Sequence, residues 1–287
     1  MPSICERPSR NLVAENAGSA RRRRSTFMLR RILSSVVLIP PLLLLLLHAP
    51  SEWFFLLLLP VSGILLYEWH RMLADDSWVD LAVSVFMAWV LLANALLGFY
   101  LPTALLMAVF LMIWFFFSMY RYREGQKVTG WVGGRLTGVV YCTLPLVLLL
   151  EMHQLGEGRW VILLLFVMWG TDSGALFFGK WLGRRRFAAQ ISPNKTVAGF
   201  FGGLLFGVAG AALAVAWFSL PGSWIQMIGY GLILSLAGQM GDLAESMVKR
   251  EAGIKDSGRL IPGHGGLLDR LDSLLFAAPV LYLLIRV

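Results

Sequence analysis

The chain has 287 residues, of which 57% are hydrophobic and 15% charged, and its formal net charge is +8. A mean hydropathy of +0.70 excludes an ordinary soluble domain. In a chain this apolar, the positive charge indicates membrane topology and attraction to anionic lipid, so we expect no nucleic-acid partner. The two cysteines, Cys5 and Cys142, lie far apart and suggest neither a disulfide framework nor a metal-ligand motif.

The first 27 residues differ in character from the rest of the chain. They are polar and include the run Arg21-Arg22-Arg23-Arg24. Nothing there has an apolar period long enough to pack, so we expect residues 1–27 to be a disordered basic tail. We expect residues 28–287 to form one integral membrane domain.

Apolar runs recur from residue 32 onward, and each can cross a hydrocarbon core of roughly 30 Å as a helix. They lack the period-2 alternation of membrane barrel strands. The predicted fold class is therefore all-α, a polytopic integral membrane protein with about nine transmembrane helices. For the first two runs, a kinked hairpin that does not fully cross is the alternative. The predicted spans are Ile32–Leu47, Trp53–Tyr67, Leu81–Leu97, Leu101–Ser118, Leu136–Leu150, Trp160–Phe178, Val197–Leu220, Trp224–Leu243 and Ser273–Ile285.

Basic residues are distributed unevenly between the predicted loops. With the N-terminus in the cytoplasm, 23 of the 25 Lys and Arg residues fall on the cytoplasmic side, and only Arg159 and Arg286 lie outside. Such asymmetry follows the positive-inside rule and favours an odd number of spans. We expect a bacterial inner (plasma) membrane protein whose polar clusters, and hence any active site, face the cytoplasm.

The chemistry is concentrated in residues 246–272, called the polar segment below, which separates two apolar runs. The helix before it is expected to continue beyond Asp242, which places Asp242, Glu245, Ser246 and Lys249 on one face. We interpret Glu245 as part of a solvated helix end. A carboxylate inside the apolar boundary, such as Asp242, is costly unless it is paired, hydrated or metal-bound.

Further along, the polar segment contains a loop and the start of another helix. Its glycines let the backbone approach a ligand closely, and the helix start directs free N–H groups outward. Asp269 and Asp272, three residues apart, share a face of that helix, and with Asp242 they can hold Mg²⁺ through oxygen ligands. The loop contributes Lys255, Asp256, His264, Gly265 and Gly266.

Two groups of candidate residues come from earlier in the chain. Asp172 is an acid within an otherwise apolar helix, for which a buried hydrogen bond between helices is the alternative role. Lys195, with the Ser192 and Thr196 hydroxyls, has the chemistry to bind phosphate. The glycines that follow, Gly199 and Gly203 among them, indicate close helix packing and make a homodimer a possible assembly.

Taken together, these residues resemble the phosphatidate cytidylyltransferase (CDP-diacylglycerol synthase) family. The resemblance covers residues 28–287 and includes the Trp169/Asp172 segment, the Ile191-Ser192-Pro193 loop and Glu68-Trp69. Asn194 and Ala198 depart from the family's usual loop, which puts substrate affinity or preference in doubt rather than the reaction. Within the polar segment, the matching positions are Ser246, Lys249, Arg250, Lys255, Asp256, Gly258, Pro262, His264, Gly265, Gly266, Asp269, Arg270 and Asp272.

The resemblance implies that CTP and phosphatidic acid react to give CDP-diacylglycerol and pyrophosphate, with Mg²⁺ as cofactor. On this basis Asp242 and Asp269 are the leading metal ligands, and Asp172 and Asp256 are secondary candidates. His264, with Gly265 and Gly266, would shape the triphosphate pocket. The candidate phosphate-binding residues are Ser192, Lys195, Thr196, Lys249, Arg250, Lys255 and Arg270.

Two other functions remain open at this point. An ion-coupled secondary transporter would use intramembrane acids such as Asp172 and Asp242, but it predicts inverted repeats and sites near the bilayer midplane. A paralogous membrane nucleotidyltransferase would act on a different lipid phosphate.

Overall fold

The computed structural model describes residues 39–73, 77–98, 101–122, 124–125, 127–156, 158–220, 222–258 and 265–286. Within these ranges the chain is helical, which confirms the all-α prediction. The basic tail predicted at residues 1–27 and the candidate His264 lie outside them. The helices are α1 (Ile39–His48), α2 (Ser51–Met72), α3 (Trp78–Leu97), α4 (Thr103–Arg121), α5 (Val128–Gly156), α6 (Arg159–Leu182), α7 (Val197–Phe218), α8 (Trp224–Glu251) and α9 (Leu268–Arg286).

Within the described residues, the predicted spans match these helices in chain order, although residues 32–38 of the first predicted span lie outside the described part of the chain. Six of them, α2 to α7, are long and apolar enough to cross a membrane, and the protein is an integral membrane protein. Helices α8 and α9 are also long, at 28 and 19 residues, but α8 carries charged residues toward its end, and α9 carries them in its first turns and at Arg286. Helix α5 extends well beyond the predicted Leu136–Leu150, because residues on both sides of that run continue to pack.

The helices alternate in direction, so that their connections fall at two opposite ends of the bundle. At one end, the Trp69 indole N–H donates to the Gly134 carbonyl at 2.9 Å and joins the end of α2 to the start of α5. At the other, Tyr230 donates to the Leu284 carbonyl at 2.7 Å and joins the start of α8 to the end of α9. The described residues of the α2–α3, α4–α5, α6–α7 and α8–α9 connections contact one another toward the first end, called the basic end below.

Helices α6 and α7 form a close hairpin. A Cβ placed at Gly202 would lie 2.5 Å from the Phe178 Cβ, and one at Gly203 would lie 3.2 Å from the Thr171 carbonyl oxygen. A Cβ at Gly199 would lie 2.8 Å from the Ala175 carbonyl oxygen. The predicted close packing is thus confirmed, and it is internal. The glycine face that suggested a homodimer is used within the chain, so a homodimer stays a prediction without that support.

A buried ion cluster joins α3, α4 and α5 near the basic end. Asp80 is fully buried and accepts from Arg121 at 2.6 Å and from the Arg135 Nη2 at 2.7 Å. The Arg135 guanidinium carbon lies 3.7 Å from the centre of the Trp131 ring, within range of a cation–π contact. The sequence pattern did not indicate that these three charged residues are in contact, and it did not separate them from charged residues of the loops.

Candidate active site

Helices α8 and α9 bring the two ends of the polar segment together. The Lys249 ammonium donates to Asp269 Oδ1 at 2.6 Å and also forms an ion pair with Glu245, one turn earlier on α8. Since α8 ends at Glu251 and α9 begins at Leu268, this contact joins the end of one helix to the start of the other. The predicted continuation of α8 past Asp242 is confirmed.

The other oxygen of the Asp269 carboxylate is bound to backbone. Its Oδ2 accepts from the N–H of Ser257 at 3.0 Å and from the N–H of Gly266 at 2.9 Å. Burial acts to raise the pKa of Asp269, but Lys249 and the two N–H groups outweigh it and hold the pKa below its usual value. Asp269 precedes the predicted span at Ser273, and these contacts fix its carboxylate at the start of α9.

A second pair lies at the end of the membrane part of α8. Lys195, from the loop before α7, lies 2.9 Å from Asp242 Oδ2, and the Ser246 hydroxyl is 3.5 Å from Asp242 Oδ1. The Asp242 side chain is 41% exposed, so one face of its carboxylate remains open to a ligand.

Asp242 and Lys195 share a cavity of about 290 Å³ with most of the upstream candidates. Asp172 lies on its α6 wall, and the loop before α7 contributes Ser192 and Thr196. Thr196 also has a structural role, because its hydroxyl accepts from the Gly199 N–H at 3.1 Å and caps α7. The cavity therefore combines carboxylates, a cation and hydroxyl groups from four separate stretches of sequence.

Other predicted residues surround this centre without all entering one cavity. Lys255 and Asp256 line a second cavity of about 670 Å³ together with Arg71 from α2. Arg250 donates to the Ile191 carbonyl at 3.3 Å, which ties the end of α8 to the loop before α7. Arg270 is exposed on the first turn of α9.

The interpretation of Glu245 as a solvated helix residue is wrong. Its side chain is fully buried and its carboxylate is paired with Lys249. Helix α9 packs against this face of α8, so closely that a Cβ at Gly241 would lie 2.8 Å from the Asp272 carbonyl oxygen. Spacing along α8 showed which residues share a face, but not that α9 covers it.

Sequence reasoning also left Glu68 without a role. The Glu68 carboxylate, at the end of α2, accepts hydrogen bonds from the Ser257 hydroxyl and from the N–H groups of Leu267 and Leu268. The resemblance at Glu68-Trp69 was the one available signal, and no local motif linked it to the polar segment. Asp272 is likewise buried, and its Oδ1 accepts from the Ser273 N–H at 2.6 Å.

The donors present suit a hard divalent cation, which prefers oxygen ligands. Asp242 and Asp172 offer carboxylates to one cavity. Asp242 is paired with Lys195 and Asp269 with Lys249, so positive charge is favoured beside each of these two carboxylates. Within the described ranges, however, no three His, Cys, Asp or Glu residues are grouped closely enough to form a metal site by themselves. The Asp242 and Asp269 ligand pair stays a prediction.

The fold and site define a class: a helical membrane protein whose paired lysines and carboxylates meet at the basic end of the bundle. The sequence model of the cytidylyltransferase family matches residues 29–287. The chain therefore belongs to the cytidylyltransferase family.

Several curated relatives carry the name phosphatidate cytidylyltransferase. The protein of Bacillus subtilis is 50% identical over 119 residues, which is 42% of this chain and 44% of the relative. That of Brucella suis is 45% identical over 162 residues, 54% of this chain and 59% of the relative. That of Staphylococcus aureus is 46% identical over 153 residues, 52% of this chain and 57% of the relative. The chain thus spans about half the length of the curated relatives it matches.

Proposed function

We propose that this protein transfers a cytidylyl group from CTP to phosphatidic acid, forming CDP-diacylglycerol and pyrophosphate. The observation that carries the proposal is the pair of contacts Lys195–Asp242 and Lys249–Asp269 at the basic end of the bundle. Family membership and the names of the curated relatives support the same reaction.

The proposed reaction needs little acid–base chemistry. A phosphate oxygen of phosphatidic acid attacks the α-phosphorus of CTP, and the bond from that phosphorus to the bridging oxygen of the pyrophosphate breaks. The attacking phosphomonoester is already anionic at neutral pH, so the barrier lies in bringing two polyanions together and stabilising the leaving group. Positioned cations lower such a barrier by orientation and electrostatics.

The residues divide naturally between these tasks. Lys195 lines the cavity that also contains Asp242, whereas Lys249 lies beside Asp269 at the start of α9, so we assign each lysine to a different phosphate. Lys255 and Ser257 lie after the end of α8 and line the second cavity. Arg250, at the end of α8, and Arg270, at the start of α9, add positive charge at the basic end.

We propose Mg²⁺ as the cofactor, with Asp242 and Asp269 as the residues that would hold it. When bound, the ion would neutralise phosphate charge and stabilise the departing pyrophosphate. The remaining chain contributes the cavity, the lysines and the hydroxyl groups of Ser192 and Thr196 that orient phosphate oxygens.

We also propose that the basic end faces the cytoplasm of a bacterial inner membrane, where CTP is present. The 23 cations assigned to that side support this orientation. A reporter fused after residue 287 should then behave as exported, whereas a reporter inserted in the α6–α7 loop should behave as cytoplasmic. The reverse pattern would invert the orientation.

Purified protein in detergent, incubated with labelled CTP, phosphatidic acid and Mg²⁺, tests the reaction directly. Lipid-extractable label should need all three components and the protein. Label transferred only to another lipid phosphate would indicate a paralogous nucleotidyltransferase. Folded protein that forms no labelled lipid, yet moves a solute across liposomes, would support the transporter instead.

A further inference from the structure

Glu68 lies near the end of α2, far in sequence from the polar segment. Its carboxylate is nevertheless buried among residues of the polar segment. Its side chain is 1% exposed. Oε1 accepts from the Leu267 N–H at 2.9 Å, and Oε2 accepts from the Leu268 N–H at 2.8 Å and the Ser257 hydroxyl at 3.0 Å. One carboxylate therefore joins both sides of the loop between α8 and α9.

The donors explain why a charged group is tolerated in this buried place. The Leu267 and Leu268 N–H groups lie at the start of α9, where backbone donors have no partner within the helix. A carboxylate there satisfies them and interacts favourably with the positive end of the helix dipole. Glu68 caps α9 from a different helix.

Two glycines of the polar segment make room for this carboxylate. A Cβ at Gly258 would contact Glu68 Oε1, and a Cβ at Gly266 would lie 2.6 Å from Glu68 Oε2 and would also contact the Ser257 hydroxyl. The close approach that these glycines allow is thus to Glu68. Their presence in the polar segment is explained by the position of α2.

The same backbone residues hold Asp269. Ser257 gives its hydroxyl to Glu68 and its N–H to Asp269, and Gly266, which gives its N–H to Asp269, precedes the two residues that Glu68 caps. The Asp269 carboxylate in turn holds Lys249. A shift of Ser257 and Gly266 relative to α2 would therefore also move Asp269 and Lys249.

We propose that Glu68 is a positioning residue for the reaction: it fixes Ser257 and the start of α9 on α2, and thereby orients Asp269 and Lys249 toward the CTP phosphates. The proposal rests on the proposed function for its kinetic consequences. The anchoring itself is a property of the fold and is open to a separate measurement.

Glu68→Gln keeps the size of the side chain but replaces one acceptor oxygen with an NH₂ group that faces donors. Because small misplacements of reacting groups cost up to about 10²-fold in rate, we expect kcat/KM for CTP to fall at least about tenfold per folded molecule. KM for CTP should rise, while KM for phosphatidic acid stays within about twofold. Glu52→Gln, on the exposed side of the same helix, is the matched control and should leave both constants unchanged.

Ser257→Ala provides a milder variant in case Glu68→Gln does not fold. It removes one of the three hydrogen bonds to Glu68 and should raise KM for CTP less than Glu68→Gln does. The double variant should lose less than the product of the two single losses, because both act through one contact. Glu68→Asp, which keeps the charge, should recover part of the activity lost in Glu68→Gln.

Hydrogen exchange of the Leu267 and Leu268 amides reports on the anchor without any turnover. We expect both to exchange faster in Glu68→Gln than in the wild type and in Glu52→Gln. Unchanged exchange, or a loss of activity that merely follows the folded fraction with KM for CTP unaltered, overturns the positioning role. If the wild type forms no CDP-lipid, the proposed function fails, and the exchange result still decides whether Glu68 anchors the loop.

Discussion

Two clusters of opposite charges lie toward the basic end of this bundle and are built differently. In the Asp80 cluster, a fully buried carboxylate is held by two arginines, and the Arg135 side chain is only 5% exposed. In the cluster around Asp242, the carboxylate is 41% exposed, its ion-pair partner among the described residues is Lys195, and both residues line a cavity. A buried carboxylate whose oxygens are bonded by planar guanidinium groups holds helices together. A carboxylate that is only partly paired with an ammonium group stays available for a ligand.

Asp80→Asn is expected to have the largest effect on stability, and it tests whether the Asp80 cluster is structural. Removing one partner from a buried ion pair leaves uncompensated charge and typically costs about 3–5 kcal/mol. We expect the unfolding temperature in detergent to fall accordingly, while the specific activity of the molecules that remain folded stays near the wild-type value. A variant that is as stable as the wild type but inactive would move Asp80 from the structural to the functional cluster.

Asp242→Asn should show the opposite behaviour. It removes a charge with little change in volume, and loss of one electrostatic contact in a transition state typically costs about 10²-fold or more in rate. CDP-lipid formation at saturating substrates should fall by at least about 10²-fold, with little loss of thermal stability because the side chain is partly exposed. Asp269→Asn should lose as much activity. Near-normal turnover by both variants at limiting Mg²⁺ would refute the assignment of the two carboxylates as metal ligands.

Glu245→Gln tests whether the buried pair of Glu245 and Lys249 supports the site. Without the Glu245 charge, Lys249 is left with Asp269 alone, so we expect turnover to fall by about tenfold, the scale of a disturbed supporting contact. Glu251→Gln, exposed at the end of the same helix, is the control and should retain full activity. Equal activity of the two variants would show that the Glu245 pair does not support Lys249.

Arg121→Ala is expected to have the smallest effect. The Arg121 side chain is 35% exposed, and Asp80 keeps its two hydrogen bonds from Arg135, at 3.0 and 2.7 Å. Partly exposed ion pairs contribute at most about 1 kcal/mol, so the unfolding temperature should fall only slightly. A loss as large as that of Asp80→Asn would mean that the two arginines act as one unit.

The sequence predicted the parts of this protein that depend on local composition. Apolar run length placed the helices, and helical spacing correctly put Asp242 and Lys249 on one face of α8. It could not reveal contacts between elements distant along the chain. The burial of Glu245 depends on α9, the partners of Asp80 come from α4 and α5, and Glu68 acts on residues nearly two hundred positions away. Such pairings are decided by how helices pack, which periodicity in one sequence does not encode.

The link between Glu68 and the start of α9 also sets an order of events during synthesis. The two partners are separated by 199 residues in the case of Leu267. At roughly 5–20 residues per second, a ribosome adds that length in roughly 10 to 40 s. During this interval α2 has been made, but the Glu68 carboxylate near its end lacks the hydrogen-bond donors that it has in the folded protein. The site is completed only when α9 emerges, and a chain that stops before α9 cannot assemble it.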